Sequence, residues 1–319
     1  LVVNPEPAGR ARGRKRWGFK PAPFFTIVKS VWVLPPADLS VTMAQPGEGG
    51  SHPERLGSVN GRDLDAAVDA IVNRHATVGL AVGVIREGRL DFFRGHGVAD
   101  TASGAPIAVD TVFRIASITK TFTALAVMQL VERSLVELDA PANDYLRSFR
   151  LVPTDTGWRP ATISHLLTHT AGLGELAHLD GMFQPDFGES WEAGRPLPSL
   201  AEFYGGRLGV YAEPGTRFVY NNHGPATLGQ LVEDVTGVPL DRYFREQIFD
   251  PLEMADSDLL RSERVRSRLA TGYEIGSRGV KTVGERDMVT AGAASIYSTP
   301  NDMSRYLEAL LGGGGNEHG

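Results

Sequence analysis

The chain has 319 residues, 42% of them hydrophobic and 22% charged, with a mean hydropathy of −0.14 and a net charge of −6. That balance is ordinary for a soluble globular protein, the length suffices to bury a substantial core, and the charge gives no reason to expect a nucleic-acid partner. Cysteine is absent, which excludes disulfides, thiolate metal sites and a cysteine nucleophile.

The net charge hides an asymmetry at the start of the chain. Residues 1–42 carry Arg10, Arg12, Arg14, Lys15, Arg16, Lys20 and Lys29 against Glu6 and Asp38, a net of +5 that leaves −11 on the remainder. A basic stretch before Phe24-Phe25-Thr26-Ile27-Val28 has the outline of a signal peptide or of an anchor to an anionic surface. Against this, Lys29 interrupts the apolar run, Pro35-Pro36 ends it, and no small-x-small cleavage site follows. The run is also too short to span a bilayer, so no transmembrane segment is expected. The plainer alternative is a disordered or non-native extension over residues 1–62, with Met43-Ala44-Gln45-Pro46 as a second start. On that reading the protein is cytoplasmic; it is secreted or periplasmic if residues 1–42 act as a signal peptide.

Residues 43–62 are rich in Gly, Pro, Ser and charge, without a hydrophobic period, and read as a flexible lead-in. The catalytic domain is expected over residues 63–319. Leu64, Ala67, Val68 and Ile71-Val72 recur at helical spacing and predict an amphipathic first helix. Gly79-Leu80-Ala81-Val82-Gly83-Val84-Ile85, a tight turn through Gly88, and Leu90-Asp91-Phe92-Phe93 predict a β-hairpin.

Chemistry enters with Phe113-Arg114-Ile115-Ala116-Ser117-Ile118-Thr119-Lys120. From Ile118 to Val131 the sequence is apolar nearly all round, as expected of a buried helix. Ser117 stands at its leading end, where free backbone N–H groups and the positive end of the helix dipole favour developing negative charge. Lys120, three residues on, shares a face with it. An ammonium in a buried setting tends to lose its proton and then acts as a base, which a serine hydroxyl needs in order to become a nucleophile. By itself Ser-x-x-Lys is a common spacing, and serine is a favoured helix cap.

Several further segments follow in order. They are Leu135-Val136-Glu137-Leu138-Asp139-Ala140-Pro141, the stretch Thr162-Ile163-Ser164-His165-Leu166-Leu167-Thr168-His169-Thr170-Ala171-Gly172-Leu173, and Pro214-Gly215-Thr216-Arg217-Phe218-Val219-Tyr220-Asn221-Asn222. Gly229-Gln230-Leu231 and Ile248-Phe249-Asp250-Pro251-Leu252 come next, then Ala291-Gly292-Ala293-Ala294-Ser295-Ile296-Tyr297-Ser298-Thr299-Pro300-Asn301-Asp302-Met303. Together with the Ser117 segment, this ordered set resembles the serine β-lactamase-related, penicillin-binding-protein-like hydrolases of class C type, over roughly residues 63 to 315.

The resemblance implies an α/β (α+β) β-lactamase/transpeptidase-like fold: a mainly antiparallel sheet flanked by helices, with a helical subdomain at about 134–290 and the site between them. It implies acyl transfer by Ser117 on an ester or amide, with Lys120 as activating partner and no cofactor or metal. Tyr220 and Asn222 match the Tyr-x-Asn element of these enzymes. Tyr220 is then a base candidate coupled to Lys120, and Asn222 orients substrate and Lys120 by hydrogen bonds. A free tyrosine titrates near ~10, so its phenolate needs the cationic lysine beside it, and the two titrate as a pair. The plainer role for Tyr220 is a buried ring bonded to the backbone. Asn221 stands where the family often has Ser or Ala.

His165 and His169, four apart, have zinc-ligand spacing, but Leu166 occupies the place of the general-base Glu and no third ligand is signalled nearby. The resemblance gives both a scaffold role. The glycines at 312–315 lack the frame of a phosphate loop and read as a turn after a helix at 300–311.

One family element is not found. No Lys is followed by Ser/Thr-Gly and no His has Gly two residues later, whereas the family carries such a strand beside the pocket and takes one oxyanion donor from it. The expectation is a C-terminally truncated relative, weakly active or inactive and poorly soluble, since loss of one oxyanion donor costs on the order of 10²–10³ in turnover and uncovered strands aggregate. The functional reading is a serine hydrolase of esterase, D-peptidase or β-lactamase-like type acting on a small-molecule or peptide substrate. The alternative is a non-catalytic relative that binds ligand without turnover. Oligomeric state is left open.

Overall fold

A computed structural model describes residues 61–86, 88–177 and 179–314, with side chains at 179 and 180 left out. All but the last two residues of the expected N-terminal extension, and with them the signal-peptide and anchor readings, lie outside the described residues. Residues 61 and 62 belong to the first helix, α1 (Gly61–Val72), whose Val68 is buried. The hairpin follows as β1 (Gly79–Arg86) and β2 (Arg89–Gly97), paired antiparallel with Gly79 opposite Gly97. Gly88 turns the chain at φ +72, a left-handed conformation that costs glycine little. The register slips after Val84, so that Asp91 is an extra residue and the ribbon bends there.

A two-residue strand, β3 (Phe113–Arg114), leads through a 3-10 turn at Ala116–Ile118 into α2 (Thr119–Glu132). Phe122, Ala126, Val127 and Leu130 of α2 are completely buried. Next come β4 (Arg150–Pro153), α3 (Ile163–Leu167), β5 (Ser190–Glu192), α4 (Leu200–Phe203), β6 (Arg207–Val210), α5 (His223–Thr236) and α6 (Leu240–Phe244). The chain then forms α7 (Glu263–Arg266), β7 (Gly272–Gly276), β8 (Gly279–Val283), β9 (Arg286–Met288), α8 (Ala291–Ala294), β10 (Tyr297–Ser298) and α9 (Pro300–Leu311). The expected first helix, hairpin, buried helix and helix at 300–311 are therefore all present.

Among the described residues the strands form separate pairs: β1 with β2, β3 with β10, β5 with β9 and β7 with β8 antiparallel, and β4 with β6 parallel. Residues 134–290, expected as a helical subdomain, hold α3 to α7 interleaved with β4 to β9. The β4–β6 pair was not foreseen. Its strands are more than fifty residues apart in sequence, and a parallel connection needs a long crossover.

The main core lies between α2 and α5. Phe122, Leu130, Leu228, Leu231, Phe244 and Phe249 belong to one buried cluster, and burying a side chain of this size stabilises by about 1.5–3 kcal/mol relative to exposure. α9 lies against the hairpin, while its Tyr306 stacks on Phe122 with ring centroids 4.0 Å apart. A smaller cluster of Ala81, Ile107, Phe113 and Ala270 lies beneath the hairpin. Among the described residues no helix is long and apolar enough to cross a membrane.

Candidate active site

The chain approaches Ser117 through Ile115, whose N–H bonds the Ile296 carbonyl at 2.9 Å, and Ala116, at φ +47. A positive φ at a non-glycine residue is an uncommon conformation that surrounding contacts must hold in place, and such residues gather at functional sites. Ser117 then sits in the 3-10 turn, exposed to solvent, and Lys120 lies half-buried in the first turn of α2. The Lys120 Nζ is 3.1 Å from Ser117 Oγ.

Two more acceptors complete the surroundings of that amine: Asn222 Oδ1 at 2.8 Å and the Ala293 carbonyl at 3.2 Å. They come from two further helices. Asn222 precedes α5, but its side chain makes no cap bond to the helix. The cap is supplied by its neighbour: Asn221 Oδ1 accepts from Gly224 N at 2.8 Å, and its Nδ2 donates to the Val219 carbonyl at 2.8 Å. Asn221 thus explains its own place in the motif. It takes over the capping work that asparagine favours and leaves Asn222 free to face the lysine.

The third helix, α8, comes close because both surfaces are glycine. A Cβ on Gly292 would lie 3.0 Å from the Pro225 carbonyl, and one on Gly229 would lie 3.5 Å from the Gly292 Cα. Thr123 Oγ1 donates to the Gly292 carbonyl at 2.7 Å, which pins α8 to α2 and fixes where the Ala293 oxygen stands.

Tyr220 reaches the same amine in another way. Its ring face covers Lys120, with Nζ 4.8 Å from the ring centroid, a cation–π distance. The ring is half-exposed and its other neighbour is His169, 4.6 Å away between centroids. The structure therefore brings Ser117, Lys120 and Asn222 into one hydrogen-bonded row, and brings Tyr220 to it by its ring.

His165 and His169 diverge. His165 Nδ1 accepts from Thr162 N at 3.2 Å, closing a capping box on α3. His169, at φ +57, packs edge-on to Phe218. Burial lowers the pKa of both rings, reinforced by Arg159 for His165 and by Lys120 for His169. Among the described residues no three His, Asp or Glu side chains are grouped so as to hold a metal ion.

Behind the row lies a buried carboxylate that sequence reasoning missed. Glu189, 2% exposed, accepts at Oε2 from Asn222 Nδ2 at 3.0 Å and from Thr290 Oγ1 at 2.8 Å. Its Oε1 is 3.7 Å from His223 Nε2, and His223 Nδ1 pairs with Tyr204 Oη at 3.1 Å. Burial pushes the Glu189 carboxyl up, while the bonds from Thr290 and Asn222 and the charge of Lys120 pull it down. Burial, with Glu189 alongside, lifts Tyr204 well above the usual phenol range. Glu189 stands in Asp186-Phe187-Gly188-Glu189-Ser190-Trp191, which has no motif and no periodicity, and its partners are far away in sequence. Asp186 and Glu192 lie three residues to either side of it, so nothing in the sequence marks Glu189 as the buried one.

Comparison with known proteins adds an independent line. The family model described as Beta-lactamase matches residues 64–318. An esterase of Burkholderia gladioli, EstB, is 31% identical over 77% of this chain and 69% of its own length. The D-alanyl-D-alanine-carboxypeptidase/endopeptidase AmpH of Escherichia coli strain K12 is 28% identical over 78% of this chain and 61% of its own. The octameric penicillin-binding protein homologue of Pyrococcus abyssi superposes with a TM-score of 0.62 at 27% identity, covering 79% of this chain and 56% of that one. A β-lactamase/D-alanine carboxypeptidase of Pseudomonas syringae superposes with a TM-score of 0.63 at 22% identity, which speaks to the fold alone. The chain thus spans roughly three-fifths to two-thirds of the curated relatives named here.

Proposed function

From the premise that this chain belongs to the beta-lactamase family, we propose that it is a serine hydrolase that opens an ester or amide through an acyl-enzyme on Ser117. The observation that carries the reading is the placement of one amine, Lys120 Nζ, against both Ser117 Oγ and Asn222 Oδ1.

The chemistry follows from counting protons on that amine. An ammonium has three donors and no acceptor, and three acceptors surround it: Ser117, Asn222 and Ala293. Once neutral, it keeps two N–H groups for Asn222 and Ala293, and its lone pair is left facing the Ser117 hydroxyl. The Ser117 Oγ then bonds to the substrate carbonyl carbon as its proton passes to Lys120. The tetrahedral adduct collapses with the proton returned to the departing alcohol or amine, leaving the acyl group on Ser117. Water adds to that acyl group by the same route and releases the acid.

Tyr220 lies over Lys120 by its ring, so it takes part as a hydroxyl only after turning about its side chain. In the resting arrangement its ring shields the amine and lends cation–π stabilisation to the charged form. The half-exposed rings of Tyr220 and Phe218 border the approach to the site, a surface suited to the apolar part of an ester or to a peptide side chain. EstB is an esterase and AmpH a carboxypeptidase by name, and both leaving-group classes fit the route above.

The test is covalent labelling, which reads acylation without requiring turnover. A fluorophosphonate should add to the peptide containing Ser117, read by mass spectrometry, and Ser117→Ala should carry no adduct. Lys120→Ala should slow labelling by about 10²–10⁴ without loss of the folding transition. An unaltered chain that takes up no label, or a Ser117→Ala chain that still does, overturns the assignment.

A further inference from the structure

We infer that Glu189 is the positioning residue of the hydrolase site: from behind, its buried carboxylate fixes the Asn222 amide so that Oδ1, and never Nδ2, faces Lys120. The inference rests on the Ser117–Lys120 reading and names the group on which that pair depends.

An asparagine amide has a donor end and an acceptor end of nearly the same shape, and only its neighbours decide which end points where. Asn222 lies between two charged groups of opposite demand. On one side Lys120 offers only donors when charged; on the other, a carboxylate offers only acceptors. The Nδ2–Oε2 distance to Glu189 of 3.0 Å and the Nζ–Oδ1 distance of 2.8 Å satisfy both at once. With an ionised Glu189, the reversed amide would set Oδ1 against a carboxylate in a buried place, where an unmatched polar pair is costly.

The consequence for Lys120 is specific. A neutral Lys120 has a lone pair, and a reversed Asn222 would donate Nδ2–H to it. The base would then be occupied and Ser117 would lose its proton acceptor. Keeping Oδ1 toward Lys120 therefore keeps the lone pair for Ser117. Thr290 supports the arrangement by giving its hydroxyl proton to the same Oε2 at 2.8 Å, which holds the carboxylate in place.

The other groups that face Glu189 are His223 at 3.7 Å, the Tyr204 hydroxyl beyond it on His223, Lys120 through Asn222, and Asp186, whose charge adds to the upward push on Glu189. Asp186 is itself paired with Arg286 at 3.2 Å. Because burial is the largest influence, Glu189 takes up its proton at higher pH than an exposed glutamate. A protonated Glu189 carries a donor and no longer dictates the direction of the amide. Labelling at Ser117 should then decline in acid as Glu189 takes up its proton.

The experiment follows fluorophosphonate labelling of Ser117 over a range of reagent concentrations and pH, in the full chain and in Glu189→Gln. Glutamine has the same shape but accepts or donates equally well, and it does not titrate. Expected are a fall in the saturating labelling rate of between ~10- and ~100-fold, the range that misplaced supporting hydrogen bonds produce, with the half-saturating reagent concentration unchanged. In acid, the fall of log rate with pH should be shallower in Glu189→Gln than in the full chain, because the glutamine has no proton to take up. His169 is common to both proteins, so the difference reports Glu189 together with the His223 that it faces at 3.7 Å.

Thr290→Val is the second variant. It removes a hydrogen bond that favours the ionised carboxylate, so the acid limb should move to higher pH, and this reading stands even if Glu189→Gln does not fold. Equal labelling rates and equal slopes in Glu189→Gln, or an unmoved limb in Thr290→Val, overturn the inference while Ser117 still labels. Absence of label on the unaltered chain overturns the hydrolase reading, and this inference with it.

Discussion

Two regions of the molecule bury their side chains to different degrees. In α2, Phe122, Ala126, Val127 and Leu130 have no exposed surface, and Leu231 and Val232 of α5 match them from the other side. In the hairpin, β1 buries only Ala81, and β2 buries no residue completely. The hairpin is held from below by α9 and at its edge by two ion pairs from Arg94 to Asp65 and Asp69 of α1. The lesson is one of placement. The Ser117–Lys120–Asn222 row needs its atoms fixed within a few tenths of an ångström, and it is attached to the densely packed side.

The largest effect that tests this difference is removal of a ring from each region. Phe122 is fully buried, stacked on Tyr306 and edge-on to Phe249 at 5.8 Å. Phe122→Ala should cost about 3–5 kcal/mol, the range for emptying an aromatic site in a close-packed core. Phe93 of β2, partly buried against the smaller cluster, should cost about 1–2 kcal/mol as Phe93→Ala, because less surface leaves water on folding. Urea unfolding of both variants gives the two numbers. Equal costs would mean that the hairpin is as firmly built as the core, and the contrast would fail.

The same contrast explains what could be read from the sequence. α1, the hairpin, α2 and α9 announce themselves because periodicity is local: Leu64, Val68 and Ile71-Val72 on one helix face, Gly79 to Ile85 on a strand. Ser117, Lys120 and Asn222 were legible because each lies in a short, recognisable string. Glu189 was not, because its meaning resides in contacts with Asn222 and Thr290, 33 and 101 residues away, and no spacing rule spans such gaps. The capping role of Asn221 was hidden for a different reason. Two adjacent asparagines compete for one helix start, and only the packing of Gly224 and Val219 decides which one caps. Tyr220 marks another limit: its place beside Lys120 was foreseen, but not the approach by ring face, which is set by His169 and Phe218.

A smaller effect is expected where the dense side meets the site. Gly292 lets α8 approach α5 and α2, and a Cβ there would lie 3.0 Å from the Pro225 carbonyl and 3.4 Å from Thr123 Oγ1. Backbone yields less readily than a flexible side chain, so Gly292→Ala should push α8 outward at a cost of about 1–3 kcal/mol, the usual price of overpacking. The displacement carries the Ala293 carbonyl away from Lys120 Nζ, and fluorophosphonate labelling should slow along with the loss of stability. If stability falls but labelling does not, the Ala293 contact has no part in positioning the amine.

The smallest effect belongs to the hairpin edge. Arg94 reaches Asp65 at 2.6 Å and Asp69 at 2.8 Å, but all three side chains are between 33% and 51% exposed. Water and ions compete for charges so placed, and holding three side chains in one geometry costs entropy, so an exposed pair contributes at most about 1 kcal/mol. Arg94→Ala should therefore lower stability by less than ~1 kcal/mol at low salt, and the difference should fade as ionic strength approaches 1 M, where charges are screened within about 3 Å. Labelling of Ser117 should not change, since α9 separates the hairpin from α2. A loss that persists at high salt would show that the aliphatic stem of Arg94, packed along the strand, holds α1 to the hairpin by burial rather than charge. A slower labelling rate would show that the hairpin reaches the site through α9, and the two regions would then have to be treated as one.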